Sequence, residues 1–193
     1  MEDIFKEIFL DIEPEKQSMN LRDVRKRLAG RIKEDDIYEL CYLTQGRANN
    51  GNKEKLYSLI FDEDRRVANN ALWVLTHFTL TENEWLYRKR DEMTDLAMTV
   101  TDATSRRLLL TLLNRQEYGA EDIRTDFLDF CLDRMLANAE PAGIRVLCMK
   151  LAYTMCRHHA ELLNELTMAL DMIPSGSSPS IMTARKNIVR EMN

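Results

Sequence analysis

The sequence predicts an all-α fold, a right-handed α-α superhelix of about four stacked helix pairs preceded by N-terminal helices. Three observations predict it. Arg66, Arg106, Arg145 and Arg185 stand 40, 39 and 40 residues apart. Each lies near the start of an apolar helical run, just after a turn-forming residue: Asp62, Asp102, Pro141 and Pro179. A period of about 40 residues is that of helix pairs which bury their apolar faces only by stacking on their neighbours. Second, the 193 residues include only four Pro and six Gly, and no stretch alternates apolar and polar residues as a half-buried strand does. Third, apolar residues recur at three- and four-residue spacing along nearly the whole chain, which gives each helix one buried face.

The totals bound the function. The chain is long enough for one domain that buries roughly 70% of its unfolded surface. Hydrophobic residues make up 45% and charged residues 31%, the balance of a globular protein. A net charge of −5 opposes a surface that grips phosphate backbones over its whole extent. No apolar run approaches the ~20 residues that span a bilayer, which argues against a membrane partner. The N-terminal stretch lacks the basic start and small-residue cleavage site of a secretory signal, so the expected compartment is cytoplasmic. Cys41, Cys131, Cys148 and Cys156 sit among apolar neighbours without a C-x-x-C pair and read as reduced core thiols. Eleven methionines suit irregular gaps between helices.

Along the chain, residues 2–12 place Ile4, Phe5, Ile8, Phe9 and Ile12 on one helical face, and Pro14 ends that helix. Helices over about 20–31 and 34–44 follow. The run Gln45-Gly46-Arg47-Ala48-Asn49-Asn50-Gly51-Asn52 is the strongest break, because Gly and Asn tolerate left-handed geometry and disfavour helix. It reads as the junction between an N-terminal section, 1–46, which is a cap or a degenerate repeat, and regular pairs over 53–191 of a single domain. First helices are expected at 53–61, 82–99, 121–138 and 160–173, and second helices at 64–79, 103–115, 141–157 and 179–191. Thr81 with Glu84 reads as a capping box. Pro141 and Pro179 suit the first position of a helix, and Asp62 and Asp102 suit helix starts. Lys26 stands 40 residues before Arg66, in surroundings that match the repeat poorly.

The stretch Asp62-Glu63-Asp64-Arg65-Arg66-Val67-Ala68-Asn69-Asn70-Ala71-Leu72-Trp73-Val74-Leu75 resembles the D-x-x-x-V-R-x-x-A-x-x-A-L core of a HEAT repeat, with Arg66 before Val67 where the family has Val before Arg. Pro141 to Leu147 restores the family's order, and Asp102 to Leu113 and Pro179 to Val189 are weaker copies. The resemblance covers about 53–191. It implies an armadillo-type α-solenoid whose repeat arginines and turn aspartates hydrogen-bond within and between repeats, and whose second helices line the concave side. Arg66, Arg106, Arg145 and Arg185 then form a structural ladder.

Four features are candidates for function. Arg66, Asn70, Trp73 and His77 share one helical face beside a core face of Val67, Ala71, Leu75 and Phe78, and Trp and Arg are common interaction anchors. Arg88, Lys89 and Arg90 follow Trp85 and Tyr87 and, with Arg106 and Arg107, form a candidate basic patch. Asp91, Glu92 and Asp95 come next, so a solvated face laced with ion pairs is the alternative. Arg157-His158-His159 reads as the end of a helix, where cations complement the dipole. Ser178, Met182, Lys186 and Asn187 faintly echo the mobile-loop motif of the fumarase and adenylosuccinate lyase superfamily, with the register wrong, so a relation to those lyases is a distant third reading. No set of residues converges as a catalytic site, a metal site or a cofactor cradle. The reading is a non-enzymatic scaffold that binds a protein or peptide partner. The alternative is a nucleic-acid-binding protein resembling the HEAT-like DNA-alkylation glycosylases, which have a basic concave face and a Trp; the acidic total disfavours it.

Overall fold

The computed structural model describes residues 18–192, and the expected helix over 2–12 lies outside them. Eleven α-helices and three short 3-10 turns make up the described residues, with no strand. Contacts divide the chain into two compact units, Met1–Glu84 and Trp85–Asn193.

In the first unit, α1 (Leu21–Leu28), α2 (Glu34–Thr44), α3 (Asn50–Ser58) and α4 (Arg65–Thr76) surround one core. Asn20 caps α1 by accepting the Arg22 N–H at 3.0 Å, and Asp64 caps α4 by accepting the Arg66 N–H at 2.8 Å. Each satisfies an amide that the first helical turn leaves open. Asp62, expected at a helix start, does different work. It accepts the Asp64 N–H at 2.8 Å and two hydrogen bonds from the Arg25 guanidinium, at 2.6 and 2.9 Å. α4 buries Val67, Ala68, Ala71, Leu72, Val74 and Leu75, and Phe78 just beyond it is buried as well.

The break expected over 45–52 is mostly helical. Residues 47–49 form a 3-10 turn and α3 begins at Asn50. Two buried asparagines make this workable. Asn49 donates to the Gln45 carbonyl at 2.8 Å and Asn52 to the Leu43 carbonyl at 3.0 Å, which satisfies acceptors near the end of α2. Only Gly46 carries the turn, with φ of 96°, a conformation that costs glycine no Cβ clash. The segment is also pinned. Gln45 Oε1 accepts from the Thr79 N–H and hydroxyl, both at 2.8 Å, and Glu82 accepts the Gly46 N–H at 2.6 Å.

The helix expected over 82–99 is two helices. Asn83–Tyr87 forms a short α5, Arg88 and Lys89 turn, and α6 runs Arg90–Thr99. Thr81 makes no capping box; its hydroxyl pairs with that of Thr79 at 2.7 Å.

The second unit continues with α7 (Ala103–Leu113), α8 (Thr125–Leu136), α9 (Ala142–Cys156), α10 (Ala160–Asp171) and α11 (Pro179–Met192). Pairs form between α6 and α7, α8 and α9, and α10 and α11. The first helices α6, α8 and α10 also pack side by side, as do the second helices α7, α9 and α11. Asp102 caps α7 by accepting the Ser105 N–H at 2.9 Å. Pro141 precedes α9 by one position, whereas Pro179 is the first residue of α11. α8 is shorter than expected at its start, because Gly119–Asp122 forms a turn closed by the Asp122 carboxylate on the Gly119 N–H at 2.9 Å. α9 touches α7, α8, α10 and α11. That explains why it buries Ile144, Cys148, Met149, Leu151, Ala152, Met155 and Cys156 around much of its circumference. A helix packed on several sides must be apolar beyond a single stripe. Each large side chain so buried contributes roughly 1.5–3 kcal/mol. Among the described residues no helix is long and apolar enough to cross a membrane.

Candidate functional site

The face of α4 turned away from its core carries Arg66, Asn70, Trp73 and the following His77 in line. Arg66, Trp73 and His77 are exposed and Asn70 is half-buried. Asn70 is committed internally: its amide donates to the Leu28 carbonyl at 2.7 Å and the Gly30 carbonyl at 3.2 Å. It thus closes the C-terminal end of α1, where helical carbonyls lack partners. His77 Nδ1 lies 2.9 Å from the Trp73 carbonyl, and its ring meets the Trp73 indole edge-on at 5.9 Å between centroids. Trp73 keeps 37% of its surface in solvent. With Gly30, Arg31, Ile32, Arg66 and Asn70 it lines an open hollow of about 510 Å³. The volume falls within the range of ligand-binding clefts, about 300–1,000 Å³.

The four ladder arginines occupy related places with different partners. Arg106 is buried. It donates to the Ala97 carbonyl at 3.4 Å and to the Val100 carbonyl, both at the end of α6, and to Glu140 at 3.2 Å, just before the next turn. Arg145 is buried too and donates to the Met135 carbonyl at 2.9 Å, at the end of α8. Arg185 pairs with Asp171 at the end of α10, at 2.8 Å. Each of these three places a cation against the C-terminal end of the first helix in its own pair, where the backbone dipole is negative. Arg66 reaches back instead to the Ala29 carbonyl, at 3.5 Å. One rung went unread. Arg25, not the exposed Lys26, links α1 to the next turn through Asp62, and it holds the Asp62 carboxyl below its ordinary range. The 37-residue separation of Arg25 and Asp62, close to the 34 of Arg106 and Glu140, was the available signal.

Of the five basic residues expected to share a patch, two are engaged inside the fold. Arg106 lies inside the fold, as above. Arg90 is tied to Asp122 at 3.0 Å and stacks over the Tyr87 and Tyr118 rings at 4.5 and 5.2 Å. Arg88 and Arg107 remain exposed, and the half-buried Lys89 sits over the Trp85 ring at 5.8 Å. The physical reason is the turn at 88–89, which sends Arg90 inward as the first residue of a new helix. Asp122 responds strongly: the Arg90 guanidinium, then the Gly119 N–H, lower its pKa to about 2.

The remaining chemistry-bearing residues make internal contacts or are buried. All four cysteines are buried and unbridged. Burial raises the Cys41 and Cys156 thiols to about 11 and drives Cys131 well above its ordinary value. His159 Nε2 meets the Ala120 carbonyl at 2.9 Å, and Arg157 meets the His158 ring at 3.0 Å. Ser178 precedes α11 with its hydroxyl 3.1 Å from that of Ser180. Among the described residues no group of three or more His, Cys, Asp or Glu could hold a metal.

Three residues of the first unit were missed as members of polar sites. Lys53 and Glu82 form an ion pair with side chains only 3% and 7% exposed, a role that polar letters at scattered positions do not announce. Arg31 reaches the hollow because α1 ends at Leu28 and the chain turns through Gly30.

Residues 24–192 match the family model described as a HEAT repeat domain. The match begins inside α1 and so takes in part of the section before residue 53. No curated protein and no solved structure matches the chain.

Proposed function

The chain belongs to the HEAT repeat family, and from that premise we propose that it is a non-enzymatic scaffold that binds a protein or peptide partner. Helical repeats of this kind present side chains from successive second helices on one continuous surface. The observation that carries the reading is the hollow beside α4. There a half-exposed Trp73 stands next to Arg66 and Arg31, the residue types that anchor interfaces most often. Asn70 and the edge-on His77 ring hold that surface in shape. Rigidity limits the ordering entropy that binding must overcome.

Nucleic acid is the weaker reading. Of the five clustered basic residues, Arg90 and Arg106 are engaged inside the fold, and the net charge is −5. A mobility shift with duplex DNA at low salt would bring it back, because phosphate contacts strengthen steeply as salt falls.

The test is affinity capture with the wild-type chain and with the Arg66→Ala/Trp73→Ala double variant, checked for fold by circular dichroism. Partners retained by wild type and lost by the folded variant support the assignment. Equal retention by both would sink it.

A further inference from the structure

We infer that the hollow between the end of α1 and the exposed face of α4 receives an acidic segment of a partner protein, one carrying a bulky apolar side chain that packs against Trp73. This rests on the scaffold reading above and specifies its partner. The ground is that two exposed arginines without a carboxylate partner line one hollow beside an indole. Arg25, Arg27, Arg90, Arg106, Arg124, Arg134 and Arg185 are each within ion-pair distance of a carboxylate. Like Arg22, Arg88, Arg107, Arg145, Arg157 and Arg190, neither Arg31 nor Arg66 forms an ion pair among the described residues, and the one side-chain bond of Arg66 is the 3.5 Å contact to the Ala29 carbonyl. Both are exposed, and both line the same hollow with the indole of Trp73.

The carboxylates nearest in sequence do not supply the missing charge. Asp62 is bound to Arg25, Asp64 accepts the Arg66 backbone N–H as the cap of α4, Asp36 is bound to Arg27 and Glu34 accepts from the Tyr38 hydroxyl, while Glu63 and Asp35 form no ion pair with Arg31 or Arg66. Two cationic forks beside an apolar ring, over the buried Ile32, complement a carboxylate pair flanking a Phe-, Leu- or Ile-like side chain. Guanidinium groups grip carboxylates bidentately, and the ring supplies contact area at little entropic cost. A polynucleotide fits less well. It needs a track of cations rather than two, and the acidic total repels its extended charge.

Random peptides displayed on phage, selected against the full chain, test the inference. Enriched peptides should be net acidic and carry a large apolar residue. In fluorescence anisotropy they should lose about tenfold in affinity on Arg31→Ala or on Arg66→Ala and weaken as salt rises. Their binding should shift the emission of wild type but not of Trp73→Phe. Both arginines are exposed, so the variants should keep the wild-type melting temperature.

Enrichment of neutral or basic peptides, or indifference to both arginine variants, overturns the inference. If such peptides still depend on Trp73, the scaffold reading survives. If no peptide binds and affinity capture also finds no Trp73-dependent partner, both fail. Tighter binding of single-stranded DNA than of any acidic peptide overturns the inference in favour of nucleic acid. A dimer dispersed by Arg66→Glu in sedimentation would make a second copy the occupant. A peptide affinity that rises on Glu7→Gln/Asp11→Asn in the full chain would make the chain's own acidic N-terminus the occupant. Either result also overturns it.

Discussion

Replacing Lys53 with methionine should destabilise the first unit severely, although the two side chains are close in length. Lys53 and Glu82 are 3% and 7% exposed and contact each other directly. In the variant Glu82 keeps the Gly46 N–H, at 2.6 Å, but its charge stays buried with its cation gone. Breaking a buried ion pair from one side costs about 3–5 kcal/mol, whereas replacing both charges is often neutral. The retained N–H bond places Lys53→Met toward the lower end, about 3 kcal/mol. For a chain of this size that lowers the melting temperature by roughly 6–12 °C. Lys53→Met/Glu82→Gln should recover most of the loss, since the amide oxygen still accepts the Gly46 N–H without a charge. Thermal and urea unfolding of wild type, both single variants and the double close the thermodynamic cycle, and the coupling should exceed about 2 kcal/mol. A loss below about 1 kcal/mol for Lys53→Met, or a double variant no more stable than that single one, would refute the argument.

Other outcomes follow from the same geometry. Asn70→Ala should cost about 1–2 kcal/mol in chemical denaturation, because the Leu28 and Gly30 carbonyls each lose a donor. Asp122 has a folded-state pKa depressed to about 2 from an ordinary 3.8. Its contribution is therefore present above pH 4 and is lost as pH falls toward 2; Asp122→Asn should lower stability at neutral pH and flatten the decline between pH 4 and pH 2. The four buried thiols should resist an aromatic disulfide reagent at neutral pH in the native protein and all react once it is denatured. Fast labelling of any one in the native state would contradict its burial.

The period of the arginines was legible because a repeat must place the same residue at the same point of each pair. The helical character of the chain was legible because apolar spacing is a local property. Two local readings failed for one reason. The expectations for the Gln45–Asn52 run and the 82–99 stretch rest on local propensity, which cannot see that Asn49 and Asn52 find carbonyls to cap. Nor can it see that Arg90 gains Asp122 and two aromatic rings by breaking the helix before it. Tertiary partners override propensities worth a few tenths of a kcal/mol.

The candidate site divides the same way. That Arg66, Asn70, Trp73 and His77 share a face follows from 3.6 residues per turn, and sequence alone determined it. Which of them is a strut and which stands open to solvent was decided by the chain from Leu28 to Ile32 packing beside α4. That chain turned Asn70 into a cap and brought Arg31 to Trp73. Spacing along a helix fixes which residues are neighbours on its surface. What lies opposite them depends on residues some 40 positions away, which only the folded chain brings near.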